Sequence, residues 1–184
     1  VEEHLNMLIN STRNIQFTKE AKKAIISGFN WACRSGPLCE ELMRSIKVKL
    51  IGTKLHEDIA QRGLTQITPI IRRAILEAFL SASPVLLEPV YRMQVIVTAQ
   101  WVGNVSNLLT RKRGRITSIT ERGMVMVVDA YVPVAETFGL AIELRSATSG
   151  QAFWQNQFDH WEKVPENFSS RVISETRKRK GLRP

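Results

Sequence analysis

Three consecutive residues, His56, Glu57 and Asp58, form the densest group of potential chemistry in this 184-residue chain. A histidine beside two carboxylates could ligate a metal or move a proton. Consecutive side chains diverge in direction, however, and no second ligand cluster stands elsewhere in the sequence. Neither a metal site nor a catalytic site is therefore expected. His160 lies between Phe158 and Trp161 in an aromatic run, the setting of a packed structural histidine, and His4 stands near the start. No Ser/His/Asp or Cys/His constellation is legible, and no GxxxxGK[ST] phosphate loop, so no cofactor is expected within residues 1–184. Cys33 and Cys39 are too few for a disulfide scaffold and read as free thiols of a reducing cytoplasm.

The polar group sits in a loop, Leu55 to Gln66, that packed elements must hold from both sides. Before it, Ile46, Val48 and Leu50 alternate with Lys47 and Lys49, the pattern of a half-buried strand with lysines in solvent. After it, Ile67, Ile70, Ile71, Ala74, Ile75, Ala78 and Phe79 recur at helical spacing. Thr68 is placed to cap that helix and Pro69 suits a first turn, where a missing N–H costs nothing. Recognition residues are common on loops so placed.

Upstream, Leu5 to Ile9 reads as a short strand. Thr18 to Arg34 reads as a helix burying Ala21, Ile25, Phe29 and Ala32 while Lys19, Lys22, Lys23 and Asn30 look outward; Gly36-Pro37 ends it. Two helices on two clear strands make a thin sheet, and a strand missing upstream is expected. Two prolines in Ser81 to Pro89 mark a boundary, dividing the chain into domains 1–85 and 86–184. The second domain reads strand (Tyr91, Met93, Val95, Val97), helix (Val102, Val105, Leu108, Leu109), strand (Arg115 to Thr120), strand (Met124 to Val132), helix (Glu136 to Ala147), strand (Gln151 to Trp161). The predicted fold class is α+β, and the βαββαβ order predicts a ferredoxin-like sandwich. Phe153, Trp154, Phe158 and Trp161 are expected to pack the core and edge of the last strand.

Charge excludes some partners and favours others. Lys and Arg outnumber Asp and Glu by 26 to 17, a net +9. Apolar residues make up 43% of the chain, yet no run approaches a bilayer span and no signal core opens the sequence. Membrane partners are therefore not expected. The cations cluster: Lys47, Lys49, Lys54 and Arg62 at the loop, Arg72 and Arg73 on the following helix, Arg111, Lys112, Arg113 and Arg115 in the second domain, and Arg177 to Lys180 in the tail. Such groups neutralise phosphates without choosing sequence. At the loop they stand beside His56, Asp58, Gln61 and Gln66, which can hydrogen-bond bases or ribose, as recognition of splayed RNA requires.

The loop motif, Leu55-His56-x-Asp58-x-x-x-Arg62-Gly63-x-x-Gln66, resembles the tip loop of domain IV in archaeal and eukaryotic translation elongation factor 2, whose pattern is LHxDAIHRGxxQ. The family's second histidine becomes diphthamide; Gln61 stands in its place, Ile59-Ala60 reverses the flanking pair, and Leu64 and Thr65 replace small residues. The second domain resembles the family's domain V through LLEPVYR (Leu86 to Arg92), RKRGRI (Arg111 to Ile116), VPVAETFGLAIELRSATSGQAFW (Val132 to Trp154) and FDHWEKVP (Phe158 to Pro165). ETRKRKGL (Glu175 to Leu182) is similar to its C-terminal helix.

The resemblance implies a partial ribosomal-protein-S5-domain-2-like βαβ domain, then the ferredoxin-like domain and a C-terminal helix. It implies the C-terminal part of a ribosomal translocation factor, a monomer whose tip (His56, Glu57, Asp58, Gln61, Arg62, Gly63, Gln66) meets tRNA and mRNA in the decoding region while domain V meets large-subunit rRNA. Gly63 would permit a tight turn. GTP and Mg2+ belong to an upstream domain in the full-length family. Gln61 cannot carry diphthamide, which is built on an imidazole. Two other readings stay open: a ribosome-binding module of hibernation or silencing type without GTPase activity, and a spliceosomal or ribosome-assembly relative of the translocase.

Overall fold

The structure, a computed structural model, describes residues 6–12, 18–54, 56, 58 and 63–183. Contacts divide the chain into two units, one of Val1–Pro84 with Glu166–Pro184, the other of Val85–Pro165.

In the first unit, β1 (Met7–Asn10) and β2 (Lys47–Leu50) pair in parallel with Met7 opposite Lys47. Parallel neighbours need a crossover, supplied by α1 (Lys19–Arg34). Thr18 caps α1 as an extended residue whose hydroxyl oxygen accepts from the Ala21 N–H at 3.2 Å, a contribution of about 1 kcal/mol. One face of α1 is buried through Ala21, Ala24, Ile25, Gly28, Phe29, Ala32 and Cys33, and Lys19, Lys22, Lys23 and Asn30 are exposed, as their spacing predicts. Phe29, Ala32, Cys33 and Ile75 form the small core, with Leu8, Ile46, Val48, Ile71 and Leu76 against it. Burial pushes both thiols, Cys33 and Cys39, up from their ordinary value.

The helix after the loop, α2, runs Leu64–Ser81 with Gly63 as its N-cap. It starts four residues before Thr68, so the expected Thr68 cap and first-turn Pro69 are not what forms. Pro69 lies inside the helix, where it removes only the bond that its N–H would make to the first-turn carbonyl of Thr65. Thr68 instead turns to α1, its hydroxyl donating to the Ala24 carbonyl at 3.4 Å. The two helices approach closely at Gly28. A Cβ built there would stand 2.7 Å from the Thr68 carbonyl oxygen and 2.8 Å from Ile71 Cβ, so this approach requires glycine.

The second unit contains β3 (Leu87–Val97), α3 (Val102–Arg111), β4 (Arg115–Arg122), β5 (Val125–Pro133), α4 (Leu140–Ala147) and β6 (Phe153–Lys163). Its strands lie in the order β4-β5-β3-β6, the ferredoxin-like arrangement. Met93, Val95 and Val97 alternate inward on β3, opposite Ala130, Val128 and Met126 of β5. Val105, Leu108 and Leu109 of α3 and Leu140 and Leu144 of α4 cover that face, each large side chain stabilising by about 1.5–3 kcal/mol. The expected helix from Glu136 is two pieces: a 3-10 turn (Val134–Thr137), then α4. Between them Gly139 has φ 78°, a left-handed conformation that breaks the helix. β4 runs on through Glu121 and Arg122, past its expected end at Thr120, and Gly123-Met124 makes the reversal.

The last strand departs from its expected packing. Trp154 does lean on the core. Phe153 is 76% exposed, and Phe158 and Trp161, both exposed, meet each other at 5.9 Å between centroids. As an edge strand, β6 has a neighbour only in β3 among the described residues, so fewer side chains are at hand to cover its rings. His160 is packed edge-on against Tyr131 at 5.4 Å.

The C-terminal helix α5 (Glu166–Arg179) follows the second unit in sequence but groups in space with the first. Arg177 donates to the Leu38 carbonyl at 2.6 Å, and Lys180 to the carbonyls of Cys39 and Glu40 at 3.1 and 3.0 Å. Lys180 also pairs with Glu41 at 2.7 Å. Glu40 sits at φ 53°, so its carbonyl belongs to a strained turn.

Candidate nucleic-acid interface

The sheet of the first unit presents Lys47 and Lys49 to solvent because β2 alternates, with Val48 and Leu50 turned the other way and partly buried. Lys54 is exposed beyond the strand, as are His56 and Asp58 in the loop. The Asp58 backbone N–H donates to His56 Nδ1 at 3.1 Å, which engages that nitrogen as an acceptor. Glu57, Gln61 and Arg62 lie outside the described residues. Gly63 has φ −70° and ψ 166°, extended backbone open to any residue, so its expected role in a tight turn does not hold. Gln66 is exposed in the first turn of α2, its Oε1 accepting from the Thr65 hydroxyl at 2.9 Å.

On α2 the two arginines differ. Arg73 is an exposed ion pair with Glu77 one turn on, at 2.8 Å, a pair of little net worth. Arg72 lies over the Trp31 ring of α1, 4.6 Å from its centroid.

The second-unit cluster is mostly turned to its own carboxylates. Arg113 donates from both terminal nitrogens to Glu88 at 2.8 and 2.9 Å and from Nε to Glu136 at 2.8 Å. Its side chain is only 16% exposed, and φ is 54° where α3 ends, with the next N–H, that of Gly114, bonded back to the Leu109 carbonyl. Burial pulls its pKa down, but the hydrogen bonds and charges of Glu88 and Glu136 outweigh that and hold it above its ordinary value. Lys112 pairs with Glu143 at 2.6 Å, and Arg115 with Glu162 at 3.5 Å while lying over Tyr131. Arg111 is exposed and shows no ion pair among the described residues. Arg113 is thus a structural tie, not the open phosphate contact that its place in RKRGR predicts.

Residues 85–165 carry eight Lys/Arg against seven Asp/Glu, and the rest of the chain eighteen against ten. Almost all of the net +9 therefore belongs to the first unit and its C-terminal helix. Among the described residues no group of three His, Cys, Asp or Glu could hold a metal ion, and no helix is long and apolar enough to cross a membrane.

Residues 2–83 match the family described as Elongation factor G, domain IV, and residues 85–181 match Elongation factor G C-terminus. The chain belongs to the elongation factor G and 2 family. Elongation factor 2 of Korarchaeum cryptofilum is 43% identical over 183 residues, covering 99% of this chain and 25% of that protein. The same factor of Sulfurisphaera tokodaii is 42% identical over 182 residues, and that of Desulfurococcus amylolyticus 41% over 184, with 99% and 100% of this chain covered and 25% of each relative. The chain thus spans about a quarter of the length of these elongation factors.

The sequence has no GxxxxGK[ST] phosphate loop. Two features of this family member escape sequence reading. The partners of Arg113 lie 25 and 23 residues away, beyond any local pattern. Trp31 reads as one more residue of α1, and only the crossing at Gly28 brings Arg72 onto it.

Proposed function

We propose that this chain is the C-terminal part of an elongation factor 2-like translocation factor, whose first unit enters the decoding region and whose second unit contacts large-subunit rRNA. The uneven charge carries this reading: a unit with eighteen cations against ten anions suits a phosphate-rich surrounding, and a near-neutral unit suits lighter contact. The tip residues His56, Glu57, Asp58, Gln61, Arg62 and Gln66 position tRNA and mRNA, with Lys47, Lys49 and Lys54 anchoring phosphates behind them. In the second unit Arg111 is the cation best placed for rRNA. The chain binds and positions, as a monomer in the cytoplasm. GTP with Mg2+ is held by a part of the full-length protein outside residues 1–184.

Binding of the 184-residue chain to purified archaeal ribosomes, followed by sedimentation, tests this. Affinity falls with salt on a log–log slope of about −0.9 per neutralised phosphate. Lys47→Glu with Lys49→Glu flattens that slope by the equivalent of about two phosphates, and Arg111→Glu by about one. Affinity that stays flat between low and moderate salt sinks the reading.

At the tip, Gln61 supplies an amide with donors and an acceptor in place of an imidazole. It bonds RNA without the reach or positive charge of diphthamide. Intact-mass analysis of the native tip peptide returns the unmodified mass, and diphthamide-dependent toxins leave the protein unlabelled. A mass gain matching diphthamide would contradict this.

A further inference from the structure

We propose that the α1–α2 face around Trp31 and Arg72 takes an unstacked base of single-stranded RNA, with flanking phosphates held by Lys23 and Arg34. The inference rests on the reading above that the first unit contacts RNA, and adds a surface apart from the tip. Trp31 is 47% exposed, although it belongs to a helix whose other large ring, Phe29, packs inward. The Arg72 guanidinium lies over the indole at 4.6 Å. Its Nε is buried and has no hydrogen-bond partner among the described residues, an arrangement that costs free energy.

Trp31 shares the outer stripe of α1 with Ser27, Lys23 and Arg34, all exposed. Lys23 and Arg34 lie roughly 12 Å and 4.5 Å from Trp31 along the axis, at 1.5 Å per residue, within reach of the phosphates beside one stacked base. The unit that bears this stripe carries nearly all of the net positive charge. A ring backed by a guanidinium and flanked by cations is the chemistry of sequence-tolerant single-strand binding, because every base has a π-face. An acidic protein would satisfy the cations and leave the half-open ring without a purpose.

The test uses fluorescence anisotropy with a fluorescein-labelled oligoadenylate of about 12 nucleotides, a typical single-strand site size, alone and paired with its complement. Trp31→Ala weakens single-strand binding about tenfold or more and leaves duplex binding and the salt slope as they were. Trp31→Phe restores most of the affinity. Lys23→Glu with Arg34→Glu flattens the single-strand slope by about 0.7 for each phosphate no longer neutralised. Circular dichroism checks that each variant is folded. Wild-type binding with Trp31→Ala unchanged overturns this inference and leaves the translocation-factor reading standing. Equal loss on single strand and duplex overturns it too. Loss of ribosome binding alone, with oligonucleotide binding intact, assigns the face to a protein partner and overturns it. Failure of the wild-type chain to bind either RNA or ribosomes overturns both readings.

Discussion

Arg113→Ala lowers the stability of the second unit by about 3–5 kcal/mol, the cost of removing one partner from a buried ion pair. Glu88 is 10% exposed at its side chain and Glu136 31%, so the first carboxylate in particular keeps little water once the guanidinium is gone. Arg113→Lys does not rescue it, because a single ammonium cannot reproduce the two-pronged contact with Glu88 and the Nε bond to Glu136. Arg113→Gly is instructive. It relieves the left-handed strain at φ 54°, of the order of 1 kcal/mol, yet still loses the carboxylate bonds and is net destabilising. Urea unfolding of the whole chain in a Trp31→Phe background checks this, because the remaining tryptophans, Trp101, Trp154 and Trp161, all report on the second unit. Adding Glu88→Gln to Arg113→Ala recovers part of the loss, since no unpaired charge is then left at that position. A single-variant loss under about 1 kcal/mol, the scale of an exposed pair, would contradict the assignment of Arg113 as a structural tie.

The second large effect is at Gly28. Alanine in a helix gains about 1 kcal/mol over glycine, and Gly28→Ala would stabilise the first unit if helix propensity decided the outcome. The new Cβ would stand 2.7 Å from a backbone oxygen and 2.8 Å from Ile71 Cβ, closer than atoms settle. Neither neighbour is the loose end of a side chain, so α1 and α2 must separate. Overpacking of this kind costs about 1–3 kcal/mol and occasionally more, and the net result is a less stable first unit. The difference in emission between each variant and its Trp31→Phe counterpart during unfolding isolates Trp31 and reads the change, and Gly28→Val enlarges it. Ile71→Val in the Gly28→Ala background does not return the loss, because valine keeps the Cβ and Cγ2 atoms that the new Cβ meets at 2.8 and 2.9 Å. A stabilised Gly28→Ala variant would show that the helices have room to part.

What sequence alone discloses depends on whether local signals agree. For α1, the cap at Thr18, the apolar spacing and the stop at Gly36-Pro37 all point the same way, and the helix forms as predicted. For α2, Thr68-Pro69 imitates a helix start, but Gly63 already caps a helix that tolerates proline near its first turn. The ferredoxin-like unit is legible because β3 and β5 alternate or run continuously apolar between clear turns. The cationic clusters are legible as composition and not as geometry. RKRGR reads as a uniform patch, whereas folding gives its members different fates: Arg111 in solvent, Lys112 and Arg115 paired at the surface, Arg113 taken inward by carboxylates remote in sequence. In the same way the tail cluster reads as one more group of cations open to phosphates, but Arg177 and Lys180 are engaged by the carbonyls of residues 38–40.

That last tie sets an order of assembly. Arg177 and Leu38 are 139 positions apart, and ribosomes deliver a chain from its N-terminal side at about 5–20 residues per second. The turn at residues 36–41 therefore waits several seconds for the helix that will hold it, while the whole of residues 85–165 is made in between. Closing so long a loop in an unfolded chain is entropically costly, with a penalty that grows with the logarithm of its length. Compaction of the intervening segment shortens the span that must be closed. The interrupted unit is then the last to be completed, and a nascent chain halted before Glu166 exposes its 36–41 turn to proteases after the contiguous unit has become resistant.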